Sequence, residues 1–498
     1  MKFNNLTFLF ILSALFISSA TLGQEKFLGC AWSSAQNSNF QTYWNQVTPE
    51  NGGKWGSVEG TRGVMRWSDM DAAYNLAQKY DMIFKEHTLI WGAQQPSWIG
   101  ALDTASQRKE IEQWFSLLAA RYPNIDYIDV VNEPLHNAPN GMLPWGSSTK
   151  NVDYAKALGG AGKTGWDWVL TSFRMARKYF PNSKLILNEY SVINSSTTTK
   201  QYVGLIKLLQ ADSLIDGIGE QAHAFTTSGA SSATLKTNLD ALAATGLPIY
   251  ITEMDIDGSS DLVQIKEMQR VFKVFWDHPS VKGITMWGFR PGMWRTDQGA
   301  NLVTQTGAER PALTWMNAYA KGTLILAESI DLSIKNDTSF VIPKGVSVTM
   351  QADFLPAGTT IKNVTWSVSP SSLAKIDATG KLTALATGTI TVTATSWDGS
   401  GIKGVARISI VTPTSISNPV YADKIKVYPN PSNDGIFTID GIENFIQIEV
   451  FDLTGRKVYG SVLNNQSQTN MQLNVPGGIY VISLFDGEQT VRKKIVIN

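Results

Sequence analysis

Between Phe27 and Phe289 the chain carries eight short apolar runs, and their spacing constrains the fold more than any other feature. They are Phe27 to Trp32, Gln46 to Pro49, Met82 to Trp91, Ile125 to Pro134, Lys184 to Tyr190, Gly217 to Ala224, Leu247 to Ile256 and Val281 to Phe289. Most are separated by enough residues for a helix, and Asp103 to Tyr122 and Gly165 to Tyr179 repeat apolar residues with helical period. Eight strand–helix alternations in about 300 residues predict a closed (β/α)8 barrel. An open doubly wound sheet would want a glycine-rich turn after its first strand, and Trp32 to Gln36 offers none.

The chain has 498 residues, more than one barrel uses. Composition changes near residue 322, where tryptophan-rich text gives way to strict alternation such as Thr389-Ile390-Thr391-Val392-Thr393-Ala394-Thr395. That is strand patterning without helices. A polar stretch, Thr412 to Pro419, then precedes a second β-rich unit. The expected class is α/β, a (β/α)8 TIM barrel over 24–322 followed by two small all-β sandwich domains, 323–411 and 421–498, joined by a linker at 412–420. Residues 1–23 read as a secretory signal: Lys2, then an apolar run from Leu6 to Ile17, then small residues. That run is too short to span a bilayer, and the mature chain is expected to lack a membrane-spanning segment. Leu28-Gly29-Cys30 imitates a lipidation site, but Glu25 and Lys26 part it from the apolar run.

Charge and cysteine content exclude several functions. Basic and acidic residues both total 42, so no overall field steers the chain toward nucleic acid or an anionic membrane. One cysteine and four histidines leave no disulfide framework and no multi-cysteine zinc site, and neither metal nor cofactor is expected.

In such a barrel the chemistry sits at the carboxyl ends of the strands. Those ends carry Glu50-Asn51 with Lys54, His87 and Trp91, Asn132-Glu133, Asn188-Glu189-Tyr190, Gln221 with His223, Glu253 with Asp255, and Trp287. Two carboxylates across a cleft suit cleavage of a glycosidic bond, one donating a proton and the other attacking or activating water. Rim tryptophans offer flat apolar faces to sugar rings. On this ground alone Glu133, Glu189, Glu220 and Glu253 all remain candidates. Strand alternation sends Glu253 and Asp255 to one face, and Gln221 and His223 likewise. A chain in which Asp255 orients His223 and His223 bonds Glu253 would keep Glu253 ionised.

Five ordered motifs carry a resemblance. Thr48-Pro49-Glu50-Asn51 with Lys54-Trp55, His87-Thr88-Leu89-Ile90-Trp91, Val131-Asn132-Glu133-Pro134, Gln221-Ala222-His223 and Ile251-Thr252-Glu253-Met254-Asp255 resemble glycoside hydrolase family 10, the retaining endo-β-1,4-xylanases. The resemblance implies Glu133 as acid/base and Glu253 as nucleophile. It implies substrate contacts from Glu50, Asn51, Lys54, His87, Trp91, Gln94, Asn132, Gln221, His223, Trp287 and Trp294, with Asp255 and Tyr190 in support. Glu189 falls at a non-catalytic position. Retention calls for carboxyls about 5–5.5 Å apart. The implied partners are xylan and xylo-oligosaccharides, met as a monomer. Another two-glutamate barrel glycosidase acting on a different β-glycan, and a non-catalytic polysaccharide-binding surface protein, remain alternatives.

This chain departs from the family's pattern at three places. Gly92 replaces a histidine that many members carry after Trp91, Gly52-Gly53 replaces larger residues, and Arg290-Pro291-Gly292-Met293 fills the last loop. The smaller Gly92 is expected to leave room for a decorated or shifted sugar.

Other motifs are weaker. Ala157 to Thr164 imitates a phosphate-binding loop but lacks the preceding strand, and Asp255-Ile256-Asp257-Gly258 lacks the distal ligands of a calcium loop. His136 and His278 are expected at the surface or in packing. Residues 323–411 resemble bacterial immunoglobulin-like group 2 domains, and are expected to be a spacer with Trp366 and Trp397 in its core. Tyr428-Pro429-Asn430-Pro431, Asp452-Leu453-Thr454-Gly455-Arg456 and Gly477-Gly478-Ile479-Tyr480 resemble the C-terminal sorting domain of the type IX secretion system. That resemblance implies the type IX machinery as a partner, with export through the periplasm followed by secretion or cell-surface attachment.

Overall fold

The computed structural model describes residues 26–142, 149–412, 423–487 and 490–498. The expected signal segment, and the expected linker from residue 413 on, lie outside them. Eight parallel strands close into a barrel in sequence order: β1 (Phe27–Trp32), β2 (Gln46–Pro49), β3 (Ile83–Ile90), β4 (Tyr127–Asn132), β5 (Lys184–Glu189), β6 (Gly217–Glu220), β7 (Ile249–Met254) and β8 (Val281–Met286). Closure comes from β1 against β8, with Phe27 beside Gly283 and Cys30 beside Met286. Each observed strand falls within its expected run. From the third onward the runs overshoot at their carboxyl ends, because there the chain leaves the ladder while its side chains stay largely buried around the barrel mouth.

The helices follow the expected pattern. Thr104–Arg121 starts at Asp103, whose carboxylate accepts the Ser106 amide at 2.9 Å. Asp261–Trp276 buries Ile265, Met268, Val271, Phe272 and Phe275 on one face, the spacing of a stripe turned toward the barrel.

The two barrel ends differ in chemistry. At the amino ends Phe27, Tyr127, Ile186 and Tyr250 form an apolar plug. Glycines make space for it: a Cβ on Gly283 would lie 2.3 Å from the Phe27 ring, and one on Gly217 would lie 2.6 Å from the Tyr250 ring. The carboxyl ends hold buried polar side chains instead, and the site is built there.

The described residues form two compact units. The first holds the barrel together with Ser347–Thr383 and Thr389–Ile408. In it Ser329–Ile334 pairs antiparallel with Ser347–Leu355, and Val364–Ser369 pairs with residues 391–396 of the strand Gly388–Ser396. Trp397 overturns one expectation. Its ring packs against the barrel's core cluster, its carbonyl accepts from Gln269 Nε2 at 2.8 Å, and the neighbouring Asp398 carbonyl accepts from Trp315 Nε1 at 3.1 Å. Trp397 thus bridges barrel and sandwich rather than sitting wholly in the sandwich core, for its Nε1 also donates to Thr365 Oγ1 at 2.8 Å on the strand Val364–Ser369. Trp366 is half-buried beside Gly380.

The second unit holds Val341–Val346, Ala384–Gly388 and the described residues from Ser409 to Asn498. A sheet of Lys426–Tyr428, Ile436–Asp440 and Gln468–Gln472 and another of Lys457–Val462, Gln447–Asp452, Gly478–Phe485 and Thr490–Ile497 enclose a core including Phe437, Ile439, Val450, Ile482 and Ile495. No helix among the described residues is long and apolar enough to cross a membrane.

Candidate active site

A cleft of about 480 Å³ opens at the carboxyl ends of the strands. Fourteen of the fifteen predicted site residues line it: Glu50, Asn51, Lys54, His87, Trp91, Gln94, Asn132, Glu133, Tyr190, Gln221, His223, Glu253, Trp287 and Trp294. The fifteenth, Asp255, lies behind His223. Asn137 and Phe225 complete the lining, and the sequence reading singled out neither.

Glu253 is the penultimate residue of β7, and 4% exposed. Its Oε1 accepts from Asn188 Nδ2 at 2.7 Å, and its Oε2 lies 3.3 Å from His223 Nε2. The other nitrogen of that ring, Nδ1, meets Asp255 Oδ2 at 2.7 Å, so the chain Asp255–His223–Glu253 forms as expected. Trp294 Nε1 and the Ala224 amide also donate to Asp255, at 3.0 and 2.6 Å. One detail of the expectation changes. β6 ends at Glu220, so Gln221 and His223 reach the site from the chain just past the strand, turned by the positive φ of 59° at Ala222.

Burial pushes the Glu253 carboxyl up, but positive charge around it wins and brings it down to about 2. The charges are His87, His223 and Lys85. His87 is held below its ordinary value by burial, whereas Asp255 and Glu253 overcome burial at His223 and lift it to about 10. Near neutrality His223 and Lys85 therefore carry the positive charge beside Glu253.

Glu133 follows β4 and is 8% exposed. Gln221 Nε2 donates to its Oε1 at 2.9 Å, while Trp91 Nε1 and Asn137 Nδ2 donate to its Oε2 at 2.9 and 2.6 Å. Those donors favour the ionised form, yet burial and then the like charge of Glu189 prevail and lift Glu133 to about 7. Its φ of 54° is left-handed, a conformation that costs a side-chain-bearing residue free energy and gathers at functional sites.

Asn188 links the two halves. It donates to Asn132 Oδ1 at 2.9 Å as well as to Glu253, and accepts from Thr252 Oγ1 at 2.6 Å. On the far side of Glu253, Asp129 Oδ2 accepts from both Lys85 Nζ at 2.7 Å and His87 Nδ1 at 2.9 Å. Lys54 Nζ donates to Asn51 and Gln94 at 2.9 and 2.7 Å and stands 5.2 Å over the Trp91 ring. An aromatic rim faces solvent, where Phe225 stacks on His223 at 5.3 Å and meets Trp294 edge-on at 6.1 Å.

The two remaining glutamates sit outside the cleft. Glu189 accepts from the Leu135 and Tyr190 amides and from His136, each at 2.8 or 2.9 Å, and so braces the loop that carries Glu133. His136 is thus more than a surface residue, because its ring also lies 4.3 Å from that of Tyr190. Glu220 is fully buried against the Ala222 amide.

The departures at glycine close space rather than open it. A Cβ on Gly92 would meet Asn137 O at 2.3 Å and Ala138 O at 2.5 Å, so backbone fills the place where room for a decorated sugar was expected. A Cβ on Gly53 would meet His87 O at 2.6 Å. The loop imitating a phosphate site is satisfied from within, for Asp167 accepts the amides of Lys163 and Thr164 at 3.0 and 3.1 Å. Asp257 pairs with Arg295, and no metal-binding group of carboxylates, histidines and cysteine occurs among the described residues.

Comparison with known proteins matches three family models. Glycosyl hydrolase family 10 covers residues 14–319, the bacterial Ig-like domain (group 2) residues 330–406, and the secretion system C-terminal sorting domain residues 426–498. Endo-1,4-beta-xylanase B of Cellvibrio japonicus is 41% identical over 295 residues, which are 59% of this chain and 45% of that one. This chain thus spans less than half of that relative. An endo-1,4-beta-xylanase of Agaricus bisporus is 29% identical over 284 residues, 54% of this chain and 80% of its own length. The solved GH10 structure from Paenibacillus barcinonensis superposes with a TM-score of 0.51 at 23% identity, covering 60% of this chain and 96% of that one, a likeness of fold.

Proposed function

The chain belongs to glycosyl hydrolase family 10, and from that premise we propose that it is an exported endo-β-1,4-xylanase that cleaves xylan with retention of configuration. One observation carries the reading: two buried glutamates line a single cleft with opposite proton affinities, Glu133 raised to about 7 and Glu253 lowered to about 2. Pairs of titratable groups pushed apart in this way divide the roles of acid and nucleophile.

Glu253, ionised, attacks the anomeric carbon as the glycosidic C–O bond breaks. Glu133 gives its proton to the departing sugar oxygen. With the first sugar gone, Glu133 takes a proton from water, whose oxygen displaces Glu253 and releases the second product. Asn188 and His223 hold Glu253 in place. Trp91, Trp287 and Trp294 offer faces to sugar rings, while Glu50, Asn51, Lys54, His87, Gln94, Asn132 and Gln221 bind hydroxyls, and Asp255 and Tyr190 support the site. The enzyme acts as a monomer and needs no cofactor.

The proposed division of the chain is a signal at 1–23, the barrel at 24–322, an immunoglobulin-like sandwich at 323–411, a linker at 412–420 and the sorting domain at 421–498. The sorting domain directs the protein to the type IX machinery, by way of the periplasm, for release or surface attachment.

Activity on substrates of different leaving-group quality tests the mechanism. Glu133→Ala should lose at least about 100-fold on xylan but far less on an aryl β-xylobioside with an acidic phenol, which needs no proton. Glu253→Ala should be inactive on both. Equal losses for Glu133→Ala on the two substrates would refute the acid role. Initial rates on xylan, β-glucan and mannan separate the substrate from its rivals.

A further inference from the structure

The loop after β4 returns to the end of β3 at one point, and the contact reaches the cleft. Gly92 donates its amide to Asn137 O at 2.9 Å and accepts from the Val152 amide at 3.2 Å, so both its backbone groups are held by this loop. Any Cβ at position 92 would occupy the place of the Asn137 and Ala138 carbonyls. Asn137 is in turn fastened to the start of its own loop, its amide donating to Glu133 O at 2.7 Å. Its side chain lines the cleft, where Nδ2 donates to Glu133 Oε2 at 2.6 Å and the side-chain amide also bonds the Tyr190 hydroxyl.

We infer that Asn137, seated by Gly92, is a positioning residue that sets the pH above which Glu133 stops delivering its proton. The inference rests on the reading of Glu133 as the acid. An amide N–H stabilises the carboxylate and does nothing for the carboxylic acid, so it holds back the rise that burial imposes. The charged or titratable groups facing Glu133 are Glu189 and Tyr190 from β5 and its end, Glu253 from β7, Lys54 after β2 and His136 from its own loop. Glu189 and Glu253 oppose ionisation and Lys54 favours it. Trp91 and Gln221 also donate to Glu133, but each comes from a strand end fixed by the barrel. Asn137 hangs from a loop that the absence of a side chain at Gly92 allows to close, which makes its bond a separable adjustment. The same bond keeps Glu133 in the ionised form from which the second half of the reaction starts, while weakening it as a base.

The test is the pH profile of kcat/KM on a xylo-oligosaccharide from pH 4 to 10, with melting curves to check folding. Loss of a hydrogen bond to a charged group should move the alkaline limb of Asn137→Ala upward by about one pH unit. Asn137→Asp, which adds like charge, should move it further. Gly92→Ala should shift the limb in the same direction, and Gly92→Ala combined with Asn137→Ala should go no further than Asn137→Ala alone. A residue that served only to brace the loop would change the melting curve and leave the limb in place. An unmoved limb in folded Asn137→Ala, or additive shifts in the double variant, would overturn the inference. Glu133→Gln serves as the control. If that variant keeps the alkaline limb, the acid assignment itself has failed; if it loses the limb while Asn137 variants do not move it, only the role of Asn137 falls.

Discussion

Replacing Asp255 by asparagine should move the acid limb of activity while leaving the fold in place. Asp255 is fully buried and accepts from His223 Nδ1, Trp294 Nε1 and the Ala224 amide. Its charge is the main reason that His223 rises to about 10 against the pull of burial. An amide cannot supply that charge. In one orientation its NH2 faces the Ala224 amide, and in the other it faces Trp294, but in both the imidazole becomes neutral near pH 7. Glu253 then loses its nearest positive charge, since His87 is already held below its ordinary value. The shift of Glu253 from 4.5 to about 2 corresponds to about 3 kcal/mol, of which His223 supplies a substantial part. The acid limb of kcat/KM should therefore rise by about one to two pH units, from about 2 to roughly 3–4, so that activity at pH 3 falls roughly 2- to 10-fold while at pH 6 Glu253 stays ionised. Profiles on an aryl β-xylobioside, which needs no proton from Glu133, isolate this limb. A folded Asp255→Asn with an acid limb where the wild type has it would refute the reasoning.

Two further outcomes follow from the same geometry. Glu133 has an ordinary value of 4.5 and rises to about 7 on folding, so the unfolded chain releases this proton first. The wild type should lose up to about 3 kcal/mol relative to Glu133→Gln as pH rises from 4 to 8, with none of the difference below about pH 4; urea midpoints across that range measure it. Parallel pH dependence in the two proteins would contradict the buried raised carboxyl. Trp397→Ala should destabilise the barrel by about 2 kcal/mol, half of what a fully buried tryptophan contributes, and leave affinity for xylan unchanged. Weaker xylan binding with an unaltered melting temperature would make Trp397 a sugar contact instead.

The barrel was legible because parallel strands covered on both faces are near-continuous apolar runs, and each run from Phe27 to Phe289 kept its place in the closed sheet. The site was legible where a side chain's role follows from its strand and its parity, as for Glu253 and Asp255. Residues that act by meeting partners far along the chain were not. Asn188 stood among the strand ends, but nothing in its neighbours says that its amide spans Asn132 and Glu253, 56 and 65 residues away. Asn137 and Phe225 sit past strand ends in connections whose course no periodicity fixes. Gly92 shows the error in reverse. Read alone, a missing side chain means space, yet here a neighbouring carbonyl lies 2.3 Å from where the Cβ would be.

Both glutamates are buried to a similar degree, so burial alone would raise both and leave the cleft without the ionised carboxylate that the proposed mechanism needs. The difference comes from where the barrel places charge around them. On the Glu253 side, β3 contributes Lys85 and His87, and the chain past β6 contributes His223 with Asp255 behind it. On the Glu133 side, β5 contributes Glu189, whose oxygens are occupied by loop amides and His136. Each of these groups is rooted on a barrel strand or in the residues just past its carboxyl end. A closed barrel fixes the order of those ends around the cleft, and so fixes which carboxyl faces cations and which faces another carboxyl. Exchanging the two roles would require moving charge between strands, which no single substitution of either glutamate can do.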